Sequence, residues 1–253
     1  MHRPVTQSVD GGQRIAMWSG PRSLSTAMLR SWENRRDTTV SDEPFYGYYL
    51  RTTGADRPGR EHSLATMPTE WRTVVRDLEG PIPNDRAIWF QKHHALHILP
   101  DVSREWIPMA ANFFLIRNPR HVVASYARIR PIFTAGDLGY DAMVDIFRWI
   151  GDRTDQEPLV VDASDVLADP EGQLRALCRA LGVDFQMSML SWPAGRRTTD
   201  PEPGDPWYAH VQRTTGFGRP TEAPRALPDQ YLEIVKACER SYRFLHERRL
   251  RLT

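Results

Sequence analysis

Arg22, Ser23, Ser25 and Thr26 crowd one guanidinium and three hydroxyls into five positions of the stretch Arg14-Ile-Ala-Met-Trp-Ser-Gly-Pro-Arg-Ser-Leu-Ser-Thr-Ala-Met-Leu29. Such a cluster suits an anion: a fixed positive charge, hydroxyl donors and, if a helix begins here, unpaired backbone N–H groups at the positive end of its dipole. The flanking residues predict that helix. Ile15 to Trp18 form a short apolar run, Gly20 and Pro21 break it, and Leu24, Met28 and Trp32 recur at helical spacing. Alone, the turn reads equally as an anion cradle or as a hydroxyl-capped helix start. It lacks the Gly-Lys-Ser/Thr ending of a nucleotide-hydrolase loop, standing instead as Leu24-Ser25-Thr26.

A second strand, turn and helix is written into Asn112-Phe-Phe-Leu-Ile-Arg117-Asn-Pro-Arg-His-Val-Val-Ala-Ser125. Pro119 suits a first helical turn. Arg117 falls at the carboxyl end of the strand, where open α/β sheets bind ligands. Ser125 follows eight residues later, about two helical turns on, so it can face the same crevice.

Together the two segments resemble the sulfotransferase family, whose members transfer a sulfuryl group from 3′-phosphoadenosine 5′-phosphosulfate (PAPS). In that family an early strand-loop-helix with Pro-Lys or Pro-Arg and following hydroxyls holds the 5′-phosphosulfate. Gly20-Pro21-Arg22-Ser23-Leu24-Ser25-Thr26 matches it. A later strand-end Arg with a Ser eight positions on holds the 3′-phosphate, and Arg117 and Ser125 match that pattern. Pro158 to Asp162, the acidic turn Asp169-Pro-Glu171 and a helix ending in Leu181-Gly182 resemble a further family segment, as do Trp207-Tyr208 and Thr214-Thr-Gly-Phe217. The resemblance runs from about Arg14 to about Arg248. It implies PAPS as donor, 3′,5′-adenosine bisphosphate (PAP) as product, no metal, and a fold like that of P-loop-containing nucleotide hydrolases.

In-line sulfuryl transfer also needs a base beside the acceptor and cations on the departing phosphate oxygen. Arg22 suits the second task. For the first, the resemblance offers Glu43, in Ser41-Asp-Glu-Pro-Phe45 beyond the second strand, and His94, in Lys92-His-His94. Glu43 is the better match, and Lys92 is placed to contact the sulfuryl group or order the acceptor. Each has a plainer reading, Asp42 or Glu43 as a helix cap and one of His93, His94 and His97 as mere packing. A P-loop-type small-molecule kinase and a non-catalytic nucleotide-binding protein are the competing functions. The kinase would need the absent Gly-Lys and a magnesium carboxylate.

The elements that must hold these groups alternate. Strands are expected near 14–19, 38–42, 86–91, 112–117 and 158–162, and helices near 23–35, 68–77, 119–129, 140–153, 170–181 and 228–247. This pattern predicts an α/β fold, three αβα layers around a parallel sheet of about five strands. Residues 52–67 and 193–228, rich in Gly, Pro and Arg, read as long loops suited to lids or acceptor contacts.

The 253 residues are enough for one domain across 1–253, with 1–13 a flexible leader. A net charge of +1 excludes the global basicity of a nucleic-acid binder. Only Lys92 and Lys236 are lysines, so almost every cation is Arg. Cys178 and Cys238 fall in separate helices and read as free buried thiols, and no metal-ligand spacing occurs. With no apolar signal core and no membrane-length run, a cytoplasmic enzyme is expected, acting on a small-molecule or carbohydrate acceptor, with a homo-oligomer possible. Phe45, Tyr46, Tyr48, Tyr49, Trp207 and Tyr208 are candidates to line the acceptor pocket.

Overall fold

The structure, a computed structural model, describes residues 12–154, 157–200, 207–222, 224 and 226–252. Five strands, β1 (Gln13–Ser19), β2 (Thr38–Asp42), β3 (Ile88–His94), β4 (Ala111–Ile116) and β5 (Leu159–Asp162), form one parallel sheet in the order β2-β3-β1-β4-β5. The strand sequences explain the burial. IAMW and FFLI carry apolar side chains on successive residues, as a sheet covered on both faces demands. The alternation splits them: Ile15, Met17, Phe113 and Leu115 join one core cluster, and Ala16, Trp18, Phe114 and Ile116 join the other.

The first cluster is completed by α1 (Ser25–Glu33), through Met28, Leu29 and Trp32. The helices that follow β5, α7 (Ala163–Ala168) and α8 (Pro170–Leu181), lie on the same face, through Val166, Leu174 and Leu177. The opposite face takes α2 (Tyr46–Thr53), α4 (Trp71–Glu79), α5 (Pro119–Ala127), α6 (Tyr140–Arg153) and α9 (Asp229–His246). The result is the expected three-layer αβα arrangement.

The element that positions the site is the switch between β1 and β4. These strands are neighbours, yet β1 is followed by α1 on one face and β4 by α5 on the other. Connections leaving in opposite directions open a crevice at the strands' carboxyl ends. Register brings further residues to that rim: Ser19 pairs with His94, and Asp42 with Lys92.

Several boundaries differ from the sequence expectation. The stretch 52–67 is not one loop: α2 runs into it and α3 (Arg60–Thr66) occupies its end. Gly54 and Gly59 punctuate it in left-handed conformations, closing α2 and opening α3, so glycine ended one helix and began another. α1 starts at Ser25 rather than 23 because Leu24 is left-handed (φ 73°). β3 covers 88–94 rather than 86–91, pairing Lys92, His93 and His94 along β1. α4 begins at Trp71 rather than 68, three residues after Pro68. The short α2 and α7 have no counterpart among the expected helices.

Gln13 is no part of a flexible leader. It opens β1, and its amide Nε2 donates to the Leu181 carbonyl at 2.8 Å. Residues 1–11 lie outside the described residues, as do 201–206, 223 and 225 of the second expected loop. The rest of that loop includes a short 3-10 turn at Val211–Arg213 and a bridge from Ser191 to Gly216. Cys178 and Cys238 are free and buried, as expected. No described helix is long and apolar enough to cross a membrane.

Candidate active site

The loop between β1 and α1 is folded against its own chain and against the β4 side of the crevice. Ser23 Oγ donates to the Gly20 carbonyl, closing the turn, and Arg22 and Leu24 both take positive φ, 59° and 73°. Gly20 is required by packing: a Cβ there would stand 2.4 Å from the Leu138 carbonyl oxygen. Leu24 is the N-cap residue of α1, and no side chain caps that end. Neither Ser23 nor Ser25 therefore serves as the helix cap. The first turn of α1 thus has no side-chain cap, and its residues Ser25 and Thr26 line the crevice at the positive end of the helix dipole.

The two motifs meet. Arg22 Nε donates to Ser125 Oγ at 2.9 Å across 103 residues of sequence, and Arg22 Nη1 donates to the Trp207 carbonyl at 3.1 Å. Arg117 Nη1 donates to the Arg22 carbonyl at 3.0 Å. Asn118, rather than Arg117, braces the turn into α5, its side chain accepting from Arg120 N at 2.9 Å. Tyr140 Oη in turn donates to the Arg117 carbonyl, fixing the strand end. Burial lowers the Arg117 pKa, as expected for a guanidinium kept from water.

Below this pair a cavity of about 440 Å³ opens, lined by Gly20, Pro21, Arg22, Ser25 and Thr26 on one side and by Glu43, Lys92 and His94 on the other. Ser23 and Leu24 shape the loop from behind; Arg117 and Ser125 stand against Arg22 rather than in the cavity wall.

At the cavity floor Lys92 is the hub. Its Nζ donates to Asp42 Oδ1 and to Glu43 Oε1, both at 2.6 Å, and to Tyr208 Oη at 3.3 Å. Register explains the cluster: β2 and β3 set Asp42 beside Lys92, and Glu43 N continues the ladder to the Lys92 carbonyl at 2.8 Å. Glu43 itself adopts φ 48°, which turns its side chain back over β3. Neither Asp42 nor Glu43 caps α2, whose N-cap residue is Phe45.

The charges follow from these contacts. Burial, the largest influence, would raise the Glu43 carboxyl, but the Lys92 ammonium together with His97 and His94 more than offsets it, and Glu43 is lowered to about 2. Burial, with Glu43 adjacent, pushes Asp42 up against the pull of Lys92. Lys92 loses to burial but gains more from its two carboxylates, so its pKa is raised. The cluster thus holds a fixed ammonium and an ionised glutamate side by side.

The three histidines separate by position. His93 is buried under the sheet, stacked on Trp18 at 4.7 Å and paired with Gln91 Oε1 at 3.2 Å, and burial drives its pKa down to about 3. It is the packed one. His94 lines the cavity, is lowered by burial to about 4, and its Nδ1 accepts from Leu96 N at 3.3 Å. The neutral ring therefore carries its proton on Nε2 and faces the cavity as a donor. His97 stacks on His94 at 4.6 Å, with Nδ1 3.7 Å from Glu43 Oε2.

Tyr46, Tyr49 and Tyr208 line the cavity with Trp207, whereas Phe45 and Tyr48 pack into the core. Residues that sequence reasoning did not assign also reach this space: Arg57 from the stretch expected to be a loop, and Thr198, Thr199 and Asp200. The last segment is tied to α1 by a buried Arg30 to Asp200 pair and by Thr199 to Glu33. No local motif marks them, because a long-range fold contact brings them in.

A sulfotransferase-domain family model matches residues 13–245. Branched-chain-amino-acid aminotransferase-like proteins 2 and 1 of Arabidopsis thaliana are each 34% identical to the chain, the match covering 91% of this chain and 41% of each relative. The chain thus spans about two fifths of the length of those relatives. A solved sulfotransferase from Alicyclobacillus acidocaldarius has the same fold, with a TM-score of 0.53 and 11% identity, over 93% of this chain and 95% of that one. A sulfotransferase domain from the curacin biosynthetic pathway gives 0.52 and 14%, over 90% and 98%.

Proposed function

Because the chain belongs to the sulfotransferase family, we propose that it moves a sulfuryl group from PAPS to a hydroxyl or amine of a small-molecule or carbohydrate acceptor. The observation that carries the donor assignment is the contact of Arg22 with Ser125 and Arg117. It makes one cationic crevice out of two segments of opposite α/β units. The uncapped start of α1, with Ser25 and Thr26, is shaped for the 5′-phosphosulfate, and Arg117 with Ser125 for the 3′-phosphate. Bound there, the donor supplies an activated sulfuryl group and a phosphate leaving group.

The chain's own residues do the rest. Arg22, permanently charged, stabilises negative charge on the bridging oxygen as the S–O bond to the 5′-phosphate breaks. Glu43 accepts the proton of the acceptor O–H or N–H as the new bond to sulfur forms. It is ionised over the whole neutral range, and its Oε1 is already oriented by Lys92. His94, with Nδ1 engaged and its proton on Nε2, donates to the acceptor rather than deprotonating it. Lys92 holds Glu43 and adds positive charge beside the sulfuryl oxygens. The span of the match supports one catalytic domain over most of the chain.

The direct test is a transfer assay with sulfur-labelled PAPS over a panel of phenols, alcohols, amines and sugars. Label in an acceptor product is expected. Binding of PAP with no transfer to any acceptor would leave a nucleotide-binding protein instead.

A further inference from the structure

The cavity floor sets two adjacent carboxylates against one ammonium, so one of the carboxylates needs help from elsewhere. Lys92 Nζ donates to Asp42 Oδ1 and Glu43 Oε1, and the Asp42 side chain is 8% exposed against 23% for Glu43. A buried anion is costly unless further donors reach it. Tyr208 provides one, and only to Asp42. Its hydroxyl donates to Asp42 Oδ2 and accepts from Lys92 Nζ at 3.3 Å, closing a ring of three side chains, and its aromatic face lies 5.6 Å from the same ammonium. Both oxygens of Asp42 are thereby engaged. No hydrogen bond from a described residue reaches Glu43 Oε2, with His97 Nδ1 standing 3.7 Å from it.

The backbone on either side of the phenol fixes where it enters. The preceding carbonyl, of Trp207, accepts from Arg22 Nη1 at 3.1 Å, and the Tyr208 carbonyl accepts from Gln212 N at 3.1 Å. One dipeptide therefore touches the β1–α1 loop through a main-chain oxygen and the cavity floor through a hydroxyl. The groups facing Asp42 are Lys92 from β3, Glu43 next in sequence and Tyr208. Burial and Glu43 favour its protonated form, whereas Lys92 and the tyrosine hydroxyl favour the anion.

We propose that Tyr208 is a positioning residue for the proton transfer: by engaging Asp42 Oδ2 it commits Asp42 to holding Lys92 and leaves Glu43 Oε2 as the carboxylate oxygen open to the acceptor. Without that hydroxyl, Asp42 takes up a proton more readily and its hold on Lys92 weakens. The ammonium charge then falls on Glu43, which becomes a weaker base.

Lys92 and Lys236 are the only lysines, so lysine labelled with carbon-13 at Cε gives a resonance for each, and K236R identifies that of Lys92. Its shift is followed between about pH 8 and 4. In the wild type it should bend as Asp42 takes up its proton, a bend that D42N removes. In Y208F the bend should move to higher pH, and adding Y208F to D42N should change nothing further. A bend at the same pH in wild type and Y208F, or in neither, overturns the proposal, as does an equal Y208F effect in the D42N background. PAP affinity reports that each variant folds.

Only the kinetic consequence rests on the reading of Glu43 as base, and the two fail separately. The single-turnover rate of Y208F with PAPS, relative to wild type, should fall by about tenfold as the pH drops from about 8 to 5, the scale of one hydrogen bond. A packing role alone would lower the ratio equally at every pH. A moved bend with a ratio independent of pH keeps Tyr208 on Asp42 and overturns Glu43 as the proton acceptor. If no acceptor is sulfated, the lysine resonance still decides the role of Tyr208.

Discussion

Glu43 and His94 are both candidate proton acceptors by residue type, and their neighbours divide the roles. Glu43→Gln keeps the shape and one bond to Lys92 but removes the basic oxygen, so turnover should fall by about 10²-fold or more. His94→Asn retains an acceptor for Leu96 N, and its loss should stay within about tenfold, the scale of one neutral hydrogen bond. Single-turnover rates with PAPS separate the two; a larger loss in His94→Asn would reverse the assignment. With Glu43 held at about 2 by Lys92, kcat/KM should stay flat between about pH 8 and 5. His94, lowered by burial to about 4, would leave the same range flat, so the single-turnover rates of the two variants carry the distinction. At this scale the sequence was informative where chemistry and spacing coincide. Arg22, Lys92 and Glu43 are conspicuous by type, and the resemblance supplied their roles. Arg57 and Asp137 are ordinary surface residue types in sequence, and only tertiary packing buries and pairs them.

At the scale of elements, the site depends on loops that are tightly specified. Gly20 tolerates no Cβ because the Leu138 carbonyl fills that space, and backbone cannot yield as a flexible side chain does. Gly20→Ala should therefore destabilise the fold by about 1–3 kcal/mol, the usual cost of overpacking, with the denaturation midpoint as the readout. A midpoint equal to wild type would mean that the 136–138 turn moves freely. Positive φ at Arg22 and Glu43 places two non-glycine strained residues in the cavity wall, with a third, Leu24, in the loop behind it, a concentration that suits a preorganised site. The regular elements β1, α1, β4, α5 and α8 were legible because burial imposes long apolar runs and helical spacing. α3 was not. It is seven residues long and sits between glycines and arginines that read locally as loop, and its buried residue is a serine. β3 was legible but placed short, since Lys92 and His94 are polar residues at the functional end of a strand.

The whole molecule couples stability to pH through its buried imidazoles. His93, His94 and His97 are kept neutral by burial, so their native pKa values lie below the unfolded value of 6.5. Below pH 6.5 the unfolded chain takes up protons that the native state refuses. Stability is thus complete above that pH and falls as the pH drops towards about 4 and 3, by about 1.4 kcal/mol per pH unit for each histidine. Glu43, held low by Lys92, adds a further loss as the pH falls from 4.5 towards about 2. Denaturant unfolding across pH 8 to 4 should show this slope, and a flat curve would mean that the three rings are hydrated in solution. At this scale the order of the sheet matters more than any residue, because β1 and β4 must be neighbours with opposite crossovers for Arg22 to reach Ser125 across 103 residues. Calorimetric comparison of PAP with 5′-AMP tests that joint site most directly. PAP should bind at least about tenfold tighter, and Arg117→Ala should erase the difference by removing a charge-assisted partner of the 3′-phosphate. Equal affinities for the two nucleotides in the wild-type protein would contradict the assignment of Arg117 and Ser125, and with it the donor site.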